Sequence, residues 1–269
     1  MRAWRIHAYG SVDQMRLESV PVPVPAADQI VVRVAVASVN PVDWKIREGW
    51  LANAFPMALP MTLGRDAVGT VAAVGSAVAA FVIGDEVVGN TAPGTDGTHA
   101  EFVALPAAAC ARKPRTVSMR DAAACLGIAG LSAYIPLVED AQISPGQRIL
   151  IHAGAGGVGS LGIQMAKRAG AYVIATCGPA NLEFVRSIGA DHVIDYTRSS
   201  FERDEQVAGR CDVVFDTIGG DIHNRSFAAL KAGGVMVALA AAPIPAVERR
   251  ADVRVHQSSI RATRERWER

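Results

Sequence analysis

Three glycines beside an apolar strand pattern are the residues whose spacing most clearly indicates chemistry. Gly154, Gly156 and Gly159 fit the pattern G-x-G-x-x-G, directly after the apolar residues 148–152 and at the start of a helical pattern. In that context the first glycine permits a tight turn, the second lets backbone approach a pyrophosphate, and the third lets helix and strand pack closely. The sequence therefore predicts a dinucleotide-binding turn formed by Gly154, Ala155, Gly156, Gly157, Val158 and Gly159.

The end of the next strand pattern bears on which dinucleotide is bound. A site for NAD usually places Asp or Glu there, roughly 20 residues past the glycines, where it bonds the ribose 2′-hydroxyl. Here the tip reads Thr176-Cys177-Gly178, with neither a carboxylate to repel a 2′-phosphate nor a basic residue to attract one. The missing carboxylate favours NADP, with Thr176 and Cys177 as expected contacts. Tyr196, which ends the third strand pattern, either lies against the adenosine phosphate or packs at the strand end.

Glycines also follow the fourth strand pattern, at the sheet edge where ligands bind in such folds. We expect the backbone of Thr217, Ile218 and Gly219 to contact the ribose or nicotinamide; the alternative is a tight turn that only requires glycine.

A second polar group lies in residues 38–45, Ser-Val-Asn-Pro-Val-Asp-Trp-Lys. Asn40, Asp43 and Lys45 cluster in the turn after a strand pattern, where they could orient a carbonyl or relay a proton. The alternative is local capping, because Asn and Asp readily bond nearby backbone in turns. Residue types alone favour capping.

The composition is that of a globular protein, with 50% hydrophobic and 20% charged residues. A net charge of +1 gives no overall attraction to nucleic acid or to an acidic membrane surface. No apolar run is long enough to span a bilayer, and the N-terminus does not resemble a signal peptide. The four cysteines are scattered without a C-x-x-C pair, which is typical of reduced thiols and predicts a cytoplasmic protein without structural zinc.

Patterning divides the chain into three parts and predicts an α/β fold. Residues 1–115 contain short Val-rich stretches between Gly and Pro, which predict an antiparallel barrel or sandwich. Residues 116–245 begin with a helical stretch and then alternate strand and helix patterns, including a polar helix near residues 202–207, and predict a doubly wound parallel sheet. Residues 246–269 are charge-dense and predict a solvated tail, in which Val253 and Val255 could form one edge strand.

Together these stretches resemble the medium-chain dehydrogenase/reductase superfamily, and within it the zinc-independent quinone oxidoreductase (zeta-crystallin-like) and enoyl reductase branch. The matching segments, spread over residues 1–242, are 38–45, Leu63-Gly-Arg-Asp-Ala-Val-Gly-Thr-Val71, Gly84-Asp-Glu-Val87, Ala100-Glu-Phe-Val103, Gly130-Leu-Ser-Ala-Tyr134, the glycine turn and residues 188–196.

The resemblance implies a GroES-like catalytic domain followed by a Rossmann NADP-binding domain, with the active site in the cleft between them. It further implies that Asn40 faces the nicotinamide, that Ser132 lies near the ribose or pyrophosphate, and that Asp43 and Lys45 flank the substrate mouth. Many quinone reductases of this branch carry Tyr at the position of Lys45. A homodimer is implied by the resemblance alone.

The resemblance also bears on metal content. Zinc-dependent relatives carry Cys at the position of Asn40 and Gly-His-Glu at that of Gly64-Arg65-Asp66, so the thiolate and imidazole ligands are missing here. The four-cysteine lobe for structural zinc is missing as well, and His99 is interpreted as structural. We therefore expect no zinc, and hydride transfer from NADPH to an electron-poor small molecule, a quinone or an α,β-unsaturated carbonyl.

The resemblance fades after Ala242, which predicts a shortened C-terminus that leaves apolar surface of the catalytic domain uncovered. The alternative function is therefore a catalytically silent NADPH-binding remnant.

Overall fold

The computed structural model describes residues 1–53, 57–239 and 250–269. It forms two compact units, one comprising Met1–Leu131 with Arg261–Arg269 and the other Ser132–Ile260. The division falls after Leu131 rather than near residue 115, because helix α2 (Met119–Leu126) packs Ala122 and Ala123 against Val68 in the core of the first unit.

The first unit is built on two sheets, and all their strand pairs are antiparallel. The larger has the order β7-β3-β5-β6-β8, and the smaller has the order β2-β1-β4. Alternate residues of β3, such as Ile30 and Val32, are buried against Val71 and Leu105, as expected for strands with one face on a core. The strands are β1 Arg2–Ile6, β2 Met15–Ser19, β3 Gln29–Ala37, β4 Met61–Thr62, β5 Asp66–Val74, β6 Glu86–Asn90, β7 Phe102–Pro106 and β8 Cys110–Arg112; helix α1 is Pro41–Arg47.

The second unit contains a six-stranded sheet in which every neighbouring pair is parallel. Its order, β11-β10-β9-β12-β13-β14, is the 3-2-1-4-5-6 order of a dinucleotide-binding fold. The strands are β9 Arg148–Ile151, β10 Tyr172–Cys177, β11 His192–Asp195, β12 Cys211–Asp216, β13 Leu230–Ala238 and β14 Arg254–Gln257; the helices are α4 Gly157–Arg168, α5 Leu182–Ser187 and α6 Gly220–Arg225. Helix α3, Ile128–Tyr134, contains the division between the two units.

Both faces of this sheet are buried, which explains why its strands are almost continuously apolar. Ile149 and Ile151 belong to the core on one face, whereas Leu150 and Ile174 belong to the core on the other. The predicted doubly wound sheet is therefore confirmed.

Two local expectations differ from the structure. The prediction of a polar helix near residues 202–207 is wrong, because only a 3₁₀ turn, Phe201–Arg203, forms there. Asp204 ends it, because its side chain accepts the Gln206 N–H at 2.8 Å in a local turn that competes with helix formation.

The C-terminal segment is more ordered than a solvated tail. The edge strand expected around Val255 is β14, which pairs in parallel with β13. Helix α7, Arg264–Glu268, belongs to the first unit, where Trp267 packs against the core that contains Val68 and Val88.

Among the described residues, no single helix is long and apolar enough to cross a membrane. Two consecutive helical segments with a bend between them, Met119–Leu126 and Ile128–Asp140, are together long and apolar enough, by length and composition only.

Candidate functional site

The glycine turn after β9 has the geometry that its sequence predicts. A Cβ on Gly154 would lie 2.9 Å from the Ala175 Cβ, and a Cβ on Gly159 would lie 2.2 Å from the Ala153 carbonyl oxygen. A Cβ on Gly156 would meet nothing closer than 3.3 Å, and Gly156 and Gly157 are exposed. The first and third glycines are thus required for packing, whereas the second keeps the outer side of the turn open for a ligand.

Helix α4 starts in this turn with its first backbone N–H groups available. Gly156 occupies the N-cap position, and within the described chain no side chain caps the helix there. The first N–H groups of any helix have no partner inside it, and the helix dipole favours negative charge at that end. Backbone from Gly157 to Gly159 thus fits a phosphate group, while Ala155 and Val158 pack partly into the core.

At the tip of β10, the side chains of Thr176 and Cys177 are buried, at 2% exposure each. Thr176 stabilises the glycine turn, because its Oγ1 accepts the Ala153 N–H at 3.3 Å. Tyr196 is exposed, and its hydroxyl lies 3.2 Å from where a Cβ of Gly178 would be. The tip therefore offers backbone and the Tyr196 ring to a ligand rather than the side chains of Thr176 and Cys177.

A carboxylate does lie beside this tip, on the neighbouring strand. Asp195 is the register partner of Cys177, and its Oδ1 accepts from the N–H and the hydroxyl of Thr197 at 2.9 and 2.7 Å. These hydrogen bonds lower the pKa of Asp195, so it is anionic at neutral pH. Arg198 balances it, with Nε 3.7 Å from Oδ2.

Residues 217–219, after β12, are held by the buried Asp216. Its Oδ1 accepts the backbone N–H groups of Ile218 and Gly219, both at 2.9 Å. Its Oδ2 lies 2.8 Å from Nδ1 of the buried His223. Gly219 has φ 79°, a conformation that favours glycine, so the tight-turn alternative is realised here, and Thr217 and Ile218 are half-buried.

In the first unit, the structure brings Asn40 and Asp43 together at the start of α1. The Asn40 N–H donates to Asp43 Oδ2 at 2.7 Å, so the predicted capping contact is present. The Asn40 amide nitrogen also donates to Ser38 Oγ at 2.8 Å and to Asp66 Oδ1 at 3.2 Å. Asp66 is only 2% exposed and accepts the Ile128 N–H at 2.5 Å through Oδ2.

Asp43 is the member of this cluster with unusual electrostatics. Burial raises its pKa to about 6, partly offset by the Asn40 N–H; the charge of Asp66 also raises the pKa, while His99 and Arg65 lower it. Among the described residues its buried Oδ1 has no hydrogen-bond partner. A carboxyl that titrates near neutrality can give and take a proton under physiological conditions.

Asp43 also lines a cavity of about 650 Å³ within the first unit, a volume in the range of small-molecule sites. Thr98 and His99 line it too, and the apolar side chains include Trp4, Leu17, Val34, Leu63 and Trp44. The His99 Nε2 lies 3.0 Å from the Ser38 carbonyl oxygen, a contact that fits the structural role expected for His99.

Lys45 and Ser132 are the remaining predicted site residues. Lys45 is half-buried beside the Trp44 ring, 5.7 Å from its centroid, and burial lowers its pKa. Ser132 is buried in α3 at the start of the second unit. The structure thus groups Asn40 with Asp43 and the glycine turn with the tip of β10.

Comparison with known proteins agrees with this architecture. Residues 26–115 match the family model described as alcohol dehydrogenase GroES-like domain, and residues 157–266 match the one described as zinc-binding dehydrogenase. Among solved structures, the quinone oxidoreductase of Coxiella burnetii has 31% identity and a TM-score of 0.89, covering all of this chain and 85% of that one. This chain belongs to the medium-chain dehydrogenase/reductase superfamily.

Two further members of the superfamily are informative. The 2-methylene-furan-3-one reductase of Solanum lycopersicum is 40% identical over 91% of this chain and 63% of its own length. The Escherichia coli quinone oxidoreductase, solved with NADPH, has 29% identity and a TM-score of 0.90 over this whole chain and 85% of that one. The chain spans slightly less than two thirds of the length of the first curated relatives that it matches.

In this medium-chain dehydrogenase/reductase, Asn40 and Arg65 are the residues that the sequence resemblance assigns to the positions at which zinc-dependent relatives carry Cys and His. The Arg65 guanidinium donates to the Ala92 carbonyl at 3.0 Å. Burial lowers the pKa of Arg65, and the charges of Asp43 and Asp66 partly offset that effect. An amide and a guanidinium are poor zinc ligands. In the described part of the chain, no group of three or more His, Cys, Asp or Glu side chains could hold a metal ion.

Sequence reasoning assigned no functional role to Asp66 or His152. Asp66 lies 26 residues from Asn40, and no local spacing relates the two. His152 directly precedes the glycine turn, yet its ring contacts come from residues 24 and 74 positions away.

Proposed function

We propose that this protein is an NADPH-dependent, zinc-independent reductase of quinones or α,β-unsaturated carbonyls. The observation that carries the proposal is an open glycine turn at the uncapped start of α4. The zinc-independent part is supported by the sequence resemblance, which implies Asn40 and Arg65 at the zinc-ligand positions. The names of similar proteins support it, among them an NADPH-dependent alkenal/one oxidoreductase of Arabidopsis thaliana that is 41% identical.

In this proposal the second unit holds the cofactor, which when bound supplies a hydride. Backbone N–H groups from Gly157 to Gly159 bind the pyrophosphate, and the loop around Thr217 and Ile218 contacts the ribose or nicotinamide. The Tyr196 ring lies against the adenosine end. No carboxylate follows Cys177 directly, and Arg198 offsets the charge of Asp195 on the neighbouring strand, which favours NADPH over NADH.

The first unit orients the acceptor. A quinone or an enone is electron-poor already and accepts a hydride without a Lewis acid, so the protein needs only to position it. Asn40 is fixed by Ser38 and Asp66 and presents a rigid amide. Asp43 can hold a proton near neutral pH and supply it to the reduced product. Lys45, two residues further along the chain, contributes a positive charge.

Binding and turnover are tested in sequence on the purified chain. We expect NADPH to bind more tightly than NADH, and NADPH to be oxidised when a benzoquinone or a simple enone is added. We also expect metal analysis to find no stoichiometric zinc and a chelator to leave the rate unchanged.

Three results would count against this function. Failure to bind NADPH would refute it. NADPH binding without oxidation by any acceptor would favour the silent NADPH-binding protein. One zinc per chain would refute the metal-free mechanism. A cytoplasmic location and a homodimer remain predictions, which fractionation and light scattering address.

A further inference from the structure

A network of buried polar side chains lies beneath the glycine turn. His152 is 1% exposed and Ser226 is fully buried, and they come from the end of β9 and from the turn after α6. The His152 Nε2 lies 2.9 Å from Ser226 Oγ, and its Nδ1 lies 3.2 Å from Thr176 Oγ1. Buried polar groups are costly unless they are paired, so each of these contacts constrains the elements that carry it.

The partners define one protonation state for His152. Ser226 uses its hydroxyl proton to bond the Ile222 carbonyl at 2.6 Å, so its oxygen accepts from Nε2–H of the histidine. Nδ1 is then the acceptor and takes the Thr176 hydroxyl proton, which leaves the Thr176 oxygen to accept the Ala153 N–H. Burial lowers the pKa of His152 to about 4, so the ring is neutral at physiological pH and fits these partners.

This network ends on a strained residue. Ala153 has φ 50°, a left-handed conformation that is uncommon for a residue with a side chain. It is held there by its N–H bond to Thr176 and by its carbonyl, which accepts the Gly156 N–H at 2.9 Å. The conformation of Ala153 sets the path of the glycine turn that follows it.

The same network reaches the second loop of the proposed cofactor site. The Thr217 hydroxyl donates to the His152 carbonyl at 2.9 Å, and Ser226 bonds Ile222 of α6, the helix that directly follows residues 217–219. The two loops are therefore joined through buried hydrogen bonds around one histidine.

We infer that His152 is a positioning residue for the dinucleotide: through Thr176 and Ser226 it holds the glycine turn and the 217–219 loop in binding geometry before the cofactor arrives. This inference rests on the proposed function. A site ordered in advance binds more tightly, because less conformational entropy is lost on binding. His152 touches no reacting group, so it changes cofactor affinity and not the chemical step.

Three variants test this role by fluorescence titration of NADPH. We expect His152→Phe to raise the Kd for NADPH at least tenfold, because its ring cannot bond Thr176 or Ser226. His152→Gln keeps an amide N–H to donate to Ser226, so its Kd should rise less than threefold. Ser226→Ala should raise the Kd between threefold and tenfold, and kcat at saturating NADPH should stay within twofold for all three.

A matched control separates positioning from simple loss of stability. Val207 is fully buried in the core on one face of the same sheet, outside the polar network. Val207→Ala should lower the melting temperature of the second unit and leave the Kd for NADPH unchanged. In the cofactor-free protein, His152→Phe should speed amide exchange at residues 153–157 and 217–219, and Val207→Ala should not.

The outcomes are distinguishable. If His152→Phe and Ser226→Ala bind NADPH as tightly as Val207→Ala does, the positioning role is refuted while the proposed function stands. If His152→Phe does not fold, Ser226→Ala and His152→Gln decide the question alone. If the unaltered protein does not bind NADPH, the proposed function itself fails.

Discussion

Gly178, just after β10, is the residue at which cofactor choice is most directly tested. Its φ of −80° suits any residue, and a Cβ there would approach only the movable end of the Tyr196 side chain. We expect Gly178→Asp to raise the KM for NADPH at least tenfold and that for NADH less than threefold, because only NADPH carries a 2′-phosphate to repel.

Steady-state kinetics with both cofactors measure this difference. Gly178→Ala is the control, since it adds the Cβ without the charge. Equal losses for both cofactors in Gly178→Asp would show that the tip of β10 does not contact the 2′-phosphate.

At the residue scale, the sequence predicts contacts between residues that are close together along the chain. Asn40 and Asp43 are three residues apart, and their contact follows from ordinary capping at the start of a helix. Asp66 and Ser226 join their clusters only through strand pairing and helix packing, which no local spacing reports. The raised pKa of Asp43 was equally unpredictable, since it depends on burial.

The start of α4 separates the packing role of one glycine from the binding role of another. A Cβ on Gly159 would collide with the Ala153 carbonyl, so Gly159→Ala should destabilise the second unit by roughly 1–3 kcal/mol. Gly156→Ala has room for its Cβ on the open side of the turn. It should leave stability within about 0.5 kcal/mol and raise the Kd for NADPH at least tenfold.

Urea unfolding and NADPH titration of both variants give the comparison. If Gly156→Ala bound NADPH normally, the outer side of the turn would not be where the pyrophosphate approaches.

Helix α7 contributes to the first unit mainly through one aromatic side chain. Trp267 packs against the core beside Val68, and its buried Nε1–H has no partner among the described residues. We expect Trp267→Ala to destabilise the first unit by about 2 kcal/mol, because apolar contacts are lost. Trp267→Phe keeps most of those contacts and removes the unpaired N–H, so it should cost less than about 1 kcal/mol.

Unfolding of the first unit is followed by limited proteolysis, with peptides assigned by mass spectrometry. A wild-type unfolding curve for Trp267→Ala would show that α7 does not stabilise this unit.

Elements were predictable where burial imposes a pattern on a whole segment. The strands β9, β10 and β12 are buried on both faces and read as continuous apolar runs. The segment near residues 202–207 has no such pattern, and the local bonds of Asp204 decide its conformation. Helix α7 was missed because its single core residue, Trp267, lies among charged neighbours.

Across the whole molecule, the two units should respond to pH in opposite directions through one buried group each. Asp43 has its pKa raised to about 6 from 3.8, so the folded state holds the proton more tightly. Its contribution to stability is fully present below pH 3.8 and is lost as the pH rises through 6. His152 has its pKa lowered from 6.5 to about 4, so its contribution is present above pH 6.5 and is lost as the pH falls toward 4.

Removing either group should therefore reduce the pH dependence of the stability of one unit only. Between pH 4 and 7, the contribution of Asp43 to the stability of the first unit falls as the pH rises, and Asp43→Asn should remove it. Over the same range the contribution of His152 to the stability of the second unit rises, and His152→Gln should remove that one. Each amounts to up to about 3 kcal/mol, since one pKa unit corresponds to about 1.4 kcal/mol.

Proteolysis of the unfolded state, followed separately for peptides of each unit at several pH values, measures both slopes. A parallel change in both units for either variant would contradict this assignment.

The first unit contains both the first 131 residues and Arg261–Arg269, while the second consists of the uninterrupted Ser132–Ile260. During translation, the ribosome therefore releases every residue of the second unit before it releases Trp267, which packs into the core of the first. Domains usually form in the order in which they are synthesised. Here the core of the unit that is synthesised first stays incomplete until residues 261–269 have been made, after the whole second unit.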